Sequence, residues 1–245
     1  MPTNYDSIAK EYQASKMLPW RIHTEAYTFF QLLGELYGLN VLDLACGEGF
    51  YTRQLKLRGA ARVSGVDISS GMIQLARESE TNRPLGLDYH VQDVLNLDLH
   101  EQFDLVCASY LLNYSCNAEE LAQMARVIAN HLKPGGRFVT INSNPDFTCE
   151  VPSMFHYGFT RENKSYDEGA EITYSFFQPD GSHIEVTNYH LSKSTHNQAL
   201  KQGGLDNVQW HALEISPEGL DEFGADYWSN IKRCQPVIGL SAVKP

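Results

Sequence analysis

Short apolar runs alternate with amphipathic segments along the first half of the chain. Between the runs, apolar residues recur every three or four positions, which is the spacing of one helix face. Alternation of this kind predicts a parallel β-sheet with helices on both faces. The apolar runs read VLDLA, RVSGVDI, LDYHV, FDLVCAS and RFVTINS. A run without alternation of apolar and polar residues, such as FDLVCA, is expected for a strand that is buried on both sides.

The flanking segments complete one domain over residues 1–245. For residues 1–38 we predict helices that end at Gly38. We predict the core sheet and its helices in residues 39–143 and 193–245. Residues 144–192 are predicted to be an insertion. Within it, polar and apolar residues alternate on both sides of a Pro-Asp-Gly turn, which indicates an antiparallel hairpin over Glu171–Ser192.

Charge narrows the range of partners. The 245 residues carry a formal net charge of -11, with no basic run. Nucleic acid and anionic membrane surfaces both require clustered Lys and Arg, so neither is an expected partner. A small-molecule partner fits better, and a monomer and a homodimer remain equally open.

The chain shows no signal for export or for membrane insertion. Its first residues lack the apolar core of a secretory signal, and no stretch is long and apolar enough for a membrane span. Its 5 cysteines show neither a CxxC pair nor regular spacing. We therefore expect a cytoplasmic protein with reduced thiols and no metal site. The stretch NSNPD is the only hint of metal ligands, and a polar turn after the fifth strand explains it better.

A glycine-containing loop follows the first apolar run in VLDLACGEGF. A dinucleotide fingerprint requires GxGxxG, but Thr52 occupies the position of the third glycine. Asp43 lies inside the same motif, where a carboxylate would repel a pyrophosphate. Asp43 could instead fix the loop or meet a cationic amine. An NAD-dependent oxidoreductase thus stays an alternative that these residues disfavour.

Two more carboxylates lie at the ends of the next two strands. Asp67 in GVDIS could accept the ribose hydroxyls of an adenosine. Asp93 in VQDV could accept from the adenine amine, with Ile68 and Val94 beside the ring. Because ligands bind at the carboxyl ends of parallel strands, the three acids should share one site. They suit a positively charged ligand without phosphate, and S-adenosylmethionine is such a ligand.

The ordered series VLDLACGEG, GVDIS, QDV, FDLVCASYLLNY and LKPGGRFV resembles the motifs of class I S-adenosylmethionine-dependent methyltransferases. The resemblance implies a Rossmann-like, seven-stranded α/β sheet whose last strand is antiparallel. It also implies that YDSIAKEYQ covers the cofactor and that S-adenosylhomocysteine is the product. Arg21 is a further candidate partner for the cofactor carboxylate. The implied cofactor-binding residues are Tyr12, Asp43, Ala45, Gly47, Gly49, Asp67, Ile68, Met72, Asp93, Val94 and Ser109.

A narrower resemblance concerns the acceptor. LACGEGFYTR, SYLLNY and GGRFVTINSNP are similar to the N-methyltransferases of toxoflavin-type azapteridine biosynthesis, which implies methyl transfer to a ring nitrogen. Tyr110, Tyr114 and His156 are the candidates for positioning the acceptor, although each is also explained by ordinary packing. Small-molecule O-methylation, which more often needs a base, and cofactor binding without catalysis remain alternatives.

Overall fold

The seven-stranded sheet is present and has mixed polarity. The computed structural model describes residues 15–178 and 181–245. In chain order its strands are β1 Asn40–Leu44, β2 Arg62–Asp67, β3 Asp88–Val91, β4 Phe103–Ser109, β5 Leu132–Ser143, β6 Phe159–Asn163, β7 Glu171–Phe177, β8 His183–Tyr189, β9 Asp206–His211 and β10 Val237–Val243. The large sheet has the order β3-β2-β1-β4-β5-β10-β9. Only β10 runs antiparallel to its two neighbours, so the predicted Rossmann-like methyltransferase sheet is confirmed.

Helices cover both faces of this sheet. They are α1 Tyr27–Leu33, α2 Phe50–Leu57, α3 Ser70–Asn82, α4 Ala118–Asn130, α5 Lys193–Gln202, α6 Pro217–Tyr227 and α7 Ser229–Cys234. A π-helical turn, Arg21–Ala26, leads into α1. The hydroxyl of Ser69 accepts from the Met72 amide and caps α3, as the sequence predicts. Within the described residues, no helix is long and apolar enough to cross a membrane.

Alternate residues of the central strands belong to two separate cores. Val41 and Leu105 pack in the core that holds the side chains of α1 to α3, whereas Leu42 and Val106 pack in the core under α4 and α5. Both cores are fully buried along these strands. Continuous apolar strands are required for this arrangement, because each face of the sheet is covered.

The first helix ends earlier than predicted. Gly34, not Gly38, follows its last residue, with φ +66° and its amide bonded to the Phe30 carbonyl. A left-handed residue ends a helix at little energetic cost when it is glycine. Gly38, also left-handed at φ +78°, lies in the turn before β1. Leu36 nevertheless remains buried, so the apolar pattern that suggested a longer helix continues through a non-helical segment.

The insertion contains more than the predicted hairpin. Strands β7 and β8 form that hairpin over Glu171–Tyr189, and β6 adds a third antiparallel strand beside β7. The sequence prediction missed β6 because FTREN combines a short length with two charged residues. One face of this small sheet is buried, and its middle row pairs Arg161, Tyr174 and Val186 across the strands. We call this buried side the covering face.

The expectation of five reduced cysteines is wrong for two of them. Cys149 and Cys234 form a disulfide across a sequence separation of 85 residues. It joins the insertion to the end of α7. Because the two cysteines meet only through folding, their spacing in the sequence carries no sign of the pair. Cys46 and Cys107 are buried free thiols, and Cys116 is exposed.

Candidate functional site

The loop after β1 is shaped by left-handed backbone. Ala45, Gly47 and Gly49 have φ of +53°, +56° and +83°. An added Cβ at Gly47 would meet nothing within 4 Å, so glycine is favoured there by its backbone conformation alone. Ala45 adopts the same left-handed conformation although it has a Cβ, so its backbone is locally strained. Backbone strain of this kind concentrates at binding sites. The loop turns sharply enough to present its backbone at the end of the sheet.

Asp67 fixes this loop to the end of β2. One carboxylate oxygen accepts from the Gly47 amide at 2.8 Å, and the other accepts from the Ser69 amide at 2.8 Å. The side chain therefore holds the glycine loop and the start of α3 in one arrangement. A carboxylate oxygen can accept more than one hydrogen bond, so the same group could also take part in binding hydroxyl donors.

Asp43 is the buried brace of the same loop. Its carboxylate accepts from the Thr52 hydroxyl at 2.7 Å and contacts the Cys107 thiol at 3.8 Å. Burial raises the pKa of Asp43 to about 7, partly offset by the Thr52 hydrogen bond and the charge of Lys16. Thr52, which breaks the dinucleotide fingerprint, is thus the residue that satisfies Asp43. A glycine at that position would leave this carboxylate without its closest donor.

Asp93 caps a short 3₁₀ turn over Val94–Asn96, where its carboxylate accepts from the Leu95 amide at 2.9 Å. Ile68 is a large apolar side chain left 67% exposed at the neighbouring strand end, while Met72 is buried. An apolar slot with a carboxylate at its edge suits a purine ring with an exocyclic amine.

These residues line one cavity of about 310 Å³ at the carboxyl ends of the strands. We call it the cofactor cavity. Sequence reasoning missed Lys16, a buried lysine of its lining, and also Tyr51 and Glu120. The predicted residues that line it are Asp43, Ala45, Gly47, Asp67, Ile68, Met72, Asp93, Val94, Ser109, Tyr110 and Tyr114.

Three of the predicted residues that the structure describes, Gly49, His156 and Arg21, do not line the cofactor cavity. Gly49 does not line the cofactor cavity but caps α2. His156 is exposed, with its ring packed on Tyr157 and against Tyr227, and it lines neither this cavity nor the cleft described next. Tyr12 lies outside the described residues. The roles given to these residues stay predictions.

A narrow cleft adjoins the cofactor cavity and shares Tyr110 and Tyr114 with it. It lies between the segment before α1 and the covering face, and we call it the acceptor cleft. Arg21, predicted to hold the cofactor carboxylate, lines this cleft and not the cofactor cavity. Its lining residues are Trp20, Arg21, Tyr110, Tyr114, Tyr174, Phe176, Val186 and Asn188.

Tyr110 stands where the two spaces meet, at the end of β4, with φ +66°. Its hydroxyl donates to Glu25 at 2.6 Å, and the other oxygen of this fully buried carboxylate accepts from Tyr51 at 2.7 Å. Arg21 lies 3.8 Å from Glu25. Glu25 could not be predicted as a site residue, because nothing in its local sequence distinguishes it from a surface acid.

The predicted polar turn after β5 is confirmed. Within NSNPD, the Asn142 side chain accepts from the Leu112 amide and the Asn144 side chain accepts from the Asp146 amide. Across residues 15–178 and 181–245, no three His, Cys, Asp or Glu side chains group closely enough to hold a metal ion.

Comparison with known proteins agrees with this geometry. Residues 41–136 match a family described as "Methyltransferase domain". The chain is 35% identical over 187 residues to a ubiquinone biosynthesis O-methyltransferase of Coxiella burnetii (strain Dugway 5J108-111), covering 73% of this chain and 70% of the relative. It is 28% identical over 178 residues to the N-demethylindolmycin N-methyltransferase of Streptomyces griseus, covering 72% and 73% of the two chains.

The fold is shared with solved methyltransferases as well. A crystal structure of an S-adenosylmethionine-dependent methyltransferase from Clostridium acetobutylicum ATCC 824 superimposes with a TM-score of 0.68 at 21% sequence identity. The superposition covers 98% of this chain and 99% of the other.

Proposed function

Because this chain belongs to the S-adenosylmethionine-dependent methyltransferases, we propose that it methylates a ring nitrogen of a small, flat heteroaromatic acceptor. The acceptor cleft carries this proposal. Aromatic rings wall it, it shares Tyr110 and Tyr114 with the cofactor cavity, and none of its described lining residues is a carboxylate or a histidine.

The cofactor cavity fits S-adenosylmethionine and argues against a dinucleotide. Asp67 would bind the ribose and Asp93 the adenine, while Lys16 would face the carboxylate of the methionine portion. A pyrophosphate would meet Asp43 and Glu48 instead, at a loop whose Gly47 amide already donates to Asp67. The bound cofactor supplies a methyl carbon on a positively charged sulfur.

The lining of the acceptor cleft favours nitrogen as the nucleophile. A hydroxyl oxygen commonly needs a general base, whose contribution is about 10²–10⁴-fold in rate. A ring nitrogen with an available lone pair needs none. Holding the acceptor in line with the methyl carbon supplies the larger effect, roughly 7–11 kcal/mol for well-aligned reactants. Tyr110, Tyr114 and the covering face would provide this alignment.

More specifically, we propose that the acceptor is an azapteridine. Trp20, Tyr174 and Phe176 line the cleft with aromatic rings that a flat bicyclic system could pack against, and aromatic pairs add about 0.5–1.5 kcal/mol beyond area burial. On this proposal residues 144–192 form a lid of the single domain. The cleft has a volume of only about 10 Å³, so an acceptor requires the covering face or the segment before α1 to move.

Acceptor-dependent formation of S-adenosylhomocysteine tests the proposal. Purified protein would be incubated with S-adenosylmethionine and fused pyrimidine-triazines, other nitrogen heteroaromatics, phenols or catechols. We expect turnover with the nitrogen heterocycles and a methyl group on ring nitrogen by NMR of the product. Tyr114→Ala should lower this rate at least tenfold, and the exposed Tyr166→Ala should not. Methyl transfer to phenolic oxygen alone would overturn the proposal in favour of O-methylation.

A further inference from the structure

A row of guanidinium groups and aromatic rings runs from one wall of the acceptor cleft to Arg161, which does not itself line the cleft. The guanidinium carbon of Arg21 lies 4.9 Å from the Phe176 ring centre. The Phe176 and Tyr174 rings stack at 6.1 Å with an interplanar angle of 10°. The guanidinium carbon of Arg161 then lies 5.7 Å from the Tyr174 ring. We call these four side chains the cationic ladder.

Arg161 is a buried charge without a counter-ion. Its side chain is 1% exposed, and no carboxylate of the described residues lies within 4.0 Å of it. Its Nε donates to the Asn163 side chain at 3.1 Å and its Nη1 to the Pro236 carbonyl at 2.9 Å. Its Nη2 is buried and has no hydrogen-bond partner among the described residues. Burial lowers the pKa of Arg161, because removal of water disfavours the charged guanidinium.

The rest of the ladder does not balance this charge. Arg21, 2% exposed, is paired with Glu25. Both oxygens of that carboxylate also accept phenolic hydroxyls, from Tyr51 and Tyr110. Glu25 is therefore already engaged by Arg21 and two phenols, and it forms no ion pair with Arg161. A buried ionic group left uncompensated is strongly destabilising, so the arrangement indicates that a ligand supplies the missing negative charge.

A hydrogen-bond network joins Arg161 to the end of the cleft. Tyr174 and Asn188 line the cleft, and the Ser143 hydroxyl lies 2.8 Å from the Tyr174 hydroxyl and 3.5 Å from the Asn188 amide oxygen. The Tyr174 hydroxyl also donates to the Pro236 carbonyl, the same oxygen that Arg161 binds. A negative charge on a ligand at this end of the cleft would thus be separated from the Arg161 guanidinium by one side chain.

We propose that the acceptor binds as an anion, with its negative charge at the end of the cleft bounded by Tyr174 and Asn188. This proposal rests on the proposed function and narrows its substrate class. The charge comes from a ring nitrogen that has lost its proton or from a carboxylate on the ring. If the nitrogen is ionised, its lone pair forms the new N–C bond, the S–C bond breaks and its electron pair stays on sulfur. No proton remains to be removed, which accounts for a cleft without a lining base.

Binding to the complex with S-adenosylhomocysteine tests this inference without turnover. Calorimetry would compare two matched pairs: a heteroaromatic carboxylate with its carboxamide, and a cyclic imide with its N-methyl form above the imide pKa. We expect the anion of at least one pair to bind at least tenfold more tightly, and the pair that responds identifies the source of the charge. Equal or tighter binding of both neutral members would overturn the inference.

Variants assign the preference to the ladder. Arg161→Gln should abolish the preference for the anion while changing affinity for S-adenosylhomocysteine less than twofold. Arg161→Lys should keep part of it, and the exposed Arg126→Gln should keep all of it. A preference unchanged in Arg161→Gln would overturn the role of Arg161; if that variant does not fold, Arg161→Lys and the wild-type pairs still decide. Loss of nitrogen methylation with the anion preference intact would instead count against the proposed function alone.

Discussion

Asp67 has a structural role, and we propose that the same carboxylate also binds the cofactor. Its oxygens already accept the amides of Gly47 and Ser69, and the same group lines the cofactor cavity. We therefore expect a substitution to disturb the glycine loop and to remove the proposed partner of the ribose. The two effects act in the same direction on cofactor affinity.

We expect Asp67→Ala to weaken binding of S-adenosylhomocysteine by about 2–4 kcal/mol, because hydrogen bonds to a charged group contribute about 1.5–3 kcal/mol each and water replaces part of them. Isothermal titration calorimetry measures the change. Asp88→Ala, an acid at the outer end of the neighbouring β3 that pairs with Arg62, is the matched control and should bind normally. An affinity within twofold of wild type for Asp67→Ala would show that Asp67 does not contact the ligand.

The raised pKa of Asp43 predicts that the free energy of unfolding depends on pH. Its pKa is raised from 3.8 to about 7 by burial, so the folded state holds a proton that the unfolded state releases above pH 4. Stability is therefore lost as pH rises from about 4 to about 7. At about 1.4 kcal/mol per pKa unit, the loss amounts to about 4 kcal/mol.

Asp43→Asn should remove this dependence, because its amide does not titrate and still offers an oxygen to Thr52. The free energy of unfolding in urea, measured at pH 5 and pH 8 for both proteins, tests it. We expect the variant to gain relative to wild type as pH rises. A constant difference between the two proteins would mean that Asp43 has an ordinary pKa.

At the scale of elements, the small sheet of the insertion has two faces with different surroundings. Phe176 points into the acceptor cleft, whereas the next residue, Phe177, lies on the opposite face and packs on Phe155. Strand alternation makes these neighbours a matched pair with the same chemistry. Substituting each of the two residues in turn distinguishes a role in acceptor binding from a general role in folding.

Phe176→Ala should raise KM for the acceptor at least tenfold, because it removes a ring from the cleft wall, and leave the affinity for S-adenosylhomocysteine within twofold. Phe177→Ala should leave both values near wild type. Steady-state kinetics with the best acceptor, together with calorimetry, gives both numbers. Equal effects of the two substitutions on KM would contradict a lid role for the covering face.

The whole molecule is strongly acidic, with a formal net charge of -11. The cofactor cavity is acidic as well, because its described lining contains one cation, Lys16, and five acids. The lining acids are Asp43, Glu48, Asp67, Asp93 and Glu120. S-adenosylmethionine carries one more positive charge than its product, so the field of the protein favours the substrate over the product.

Salt should reduce this discrimination. Between 20 and 300 mM NaCl the screening length falls by roughly fourfold, which weakens interactions between exposed charges. We expect affinity for S-adenosylmethionine to fall about two- to threefold more than affinity for S-adenosylhomocysteine, as measured by calorimetry. An equal response of both ligands would show that long-range charge plays no part in cofactor selection.

The sequence alone determined the large sheet and most of the cofactor cavity. Apolar runs bury themselves on both faces, and parallel strands bring their carboxyl ends together, so Asp43, Asp67 and Asp93 had to meet. The sequence features behind these predictions are local, because hydrophobic periodicity and a glycine turn can be recognised within a few residues.

Tertiary structure alone decided the features that depend on distant partners. The Cys149–Cys234 disulfide, the place of Arg21 in the acceptor cleft and the hydrogen bond from Tyr110 to Glu25 each join segments far apart in the chain. Strand β6 was also invisible locally, since its central residue is the buried Arg161. A charge inside a strand reads as a surface position until the fold shows what surrounds it.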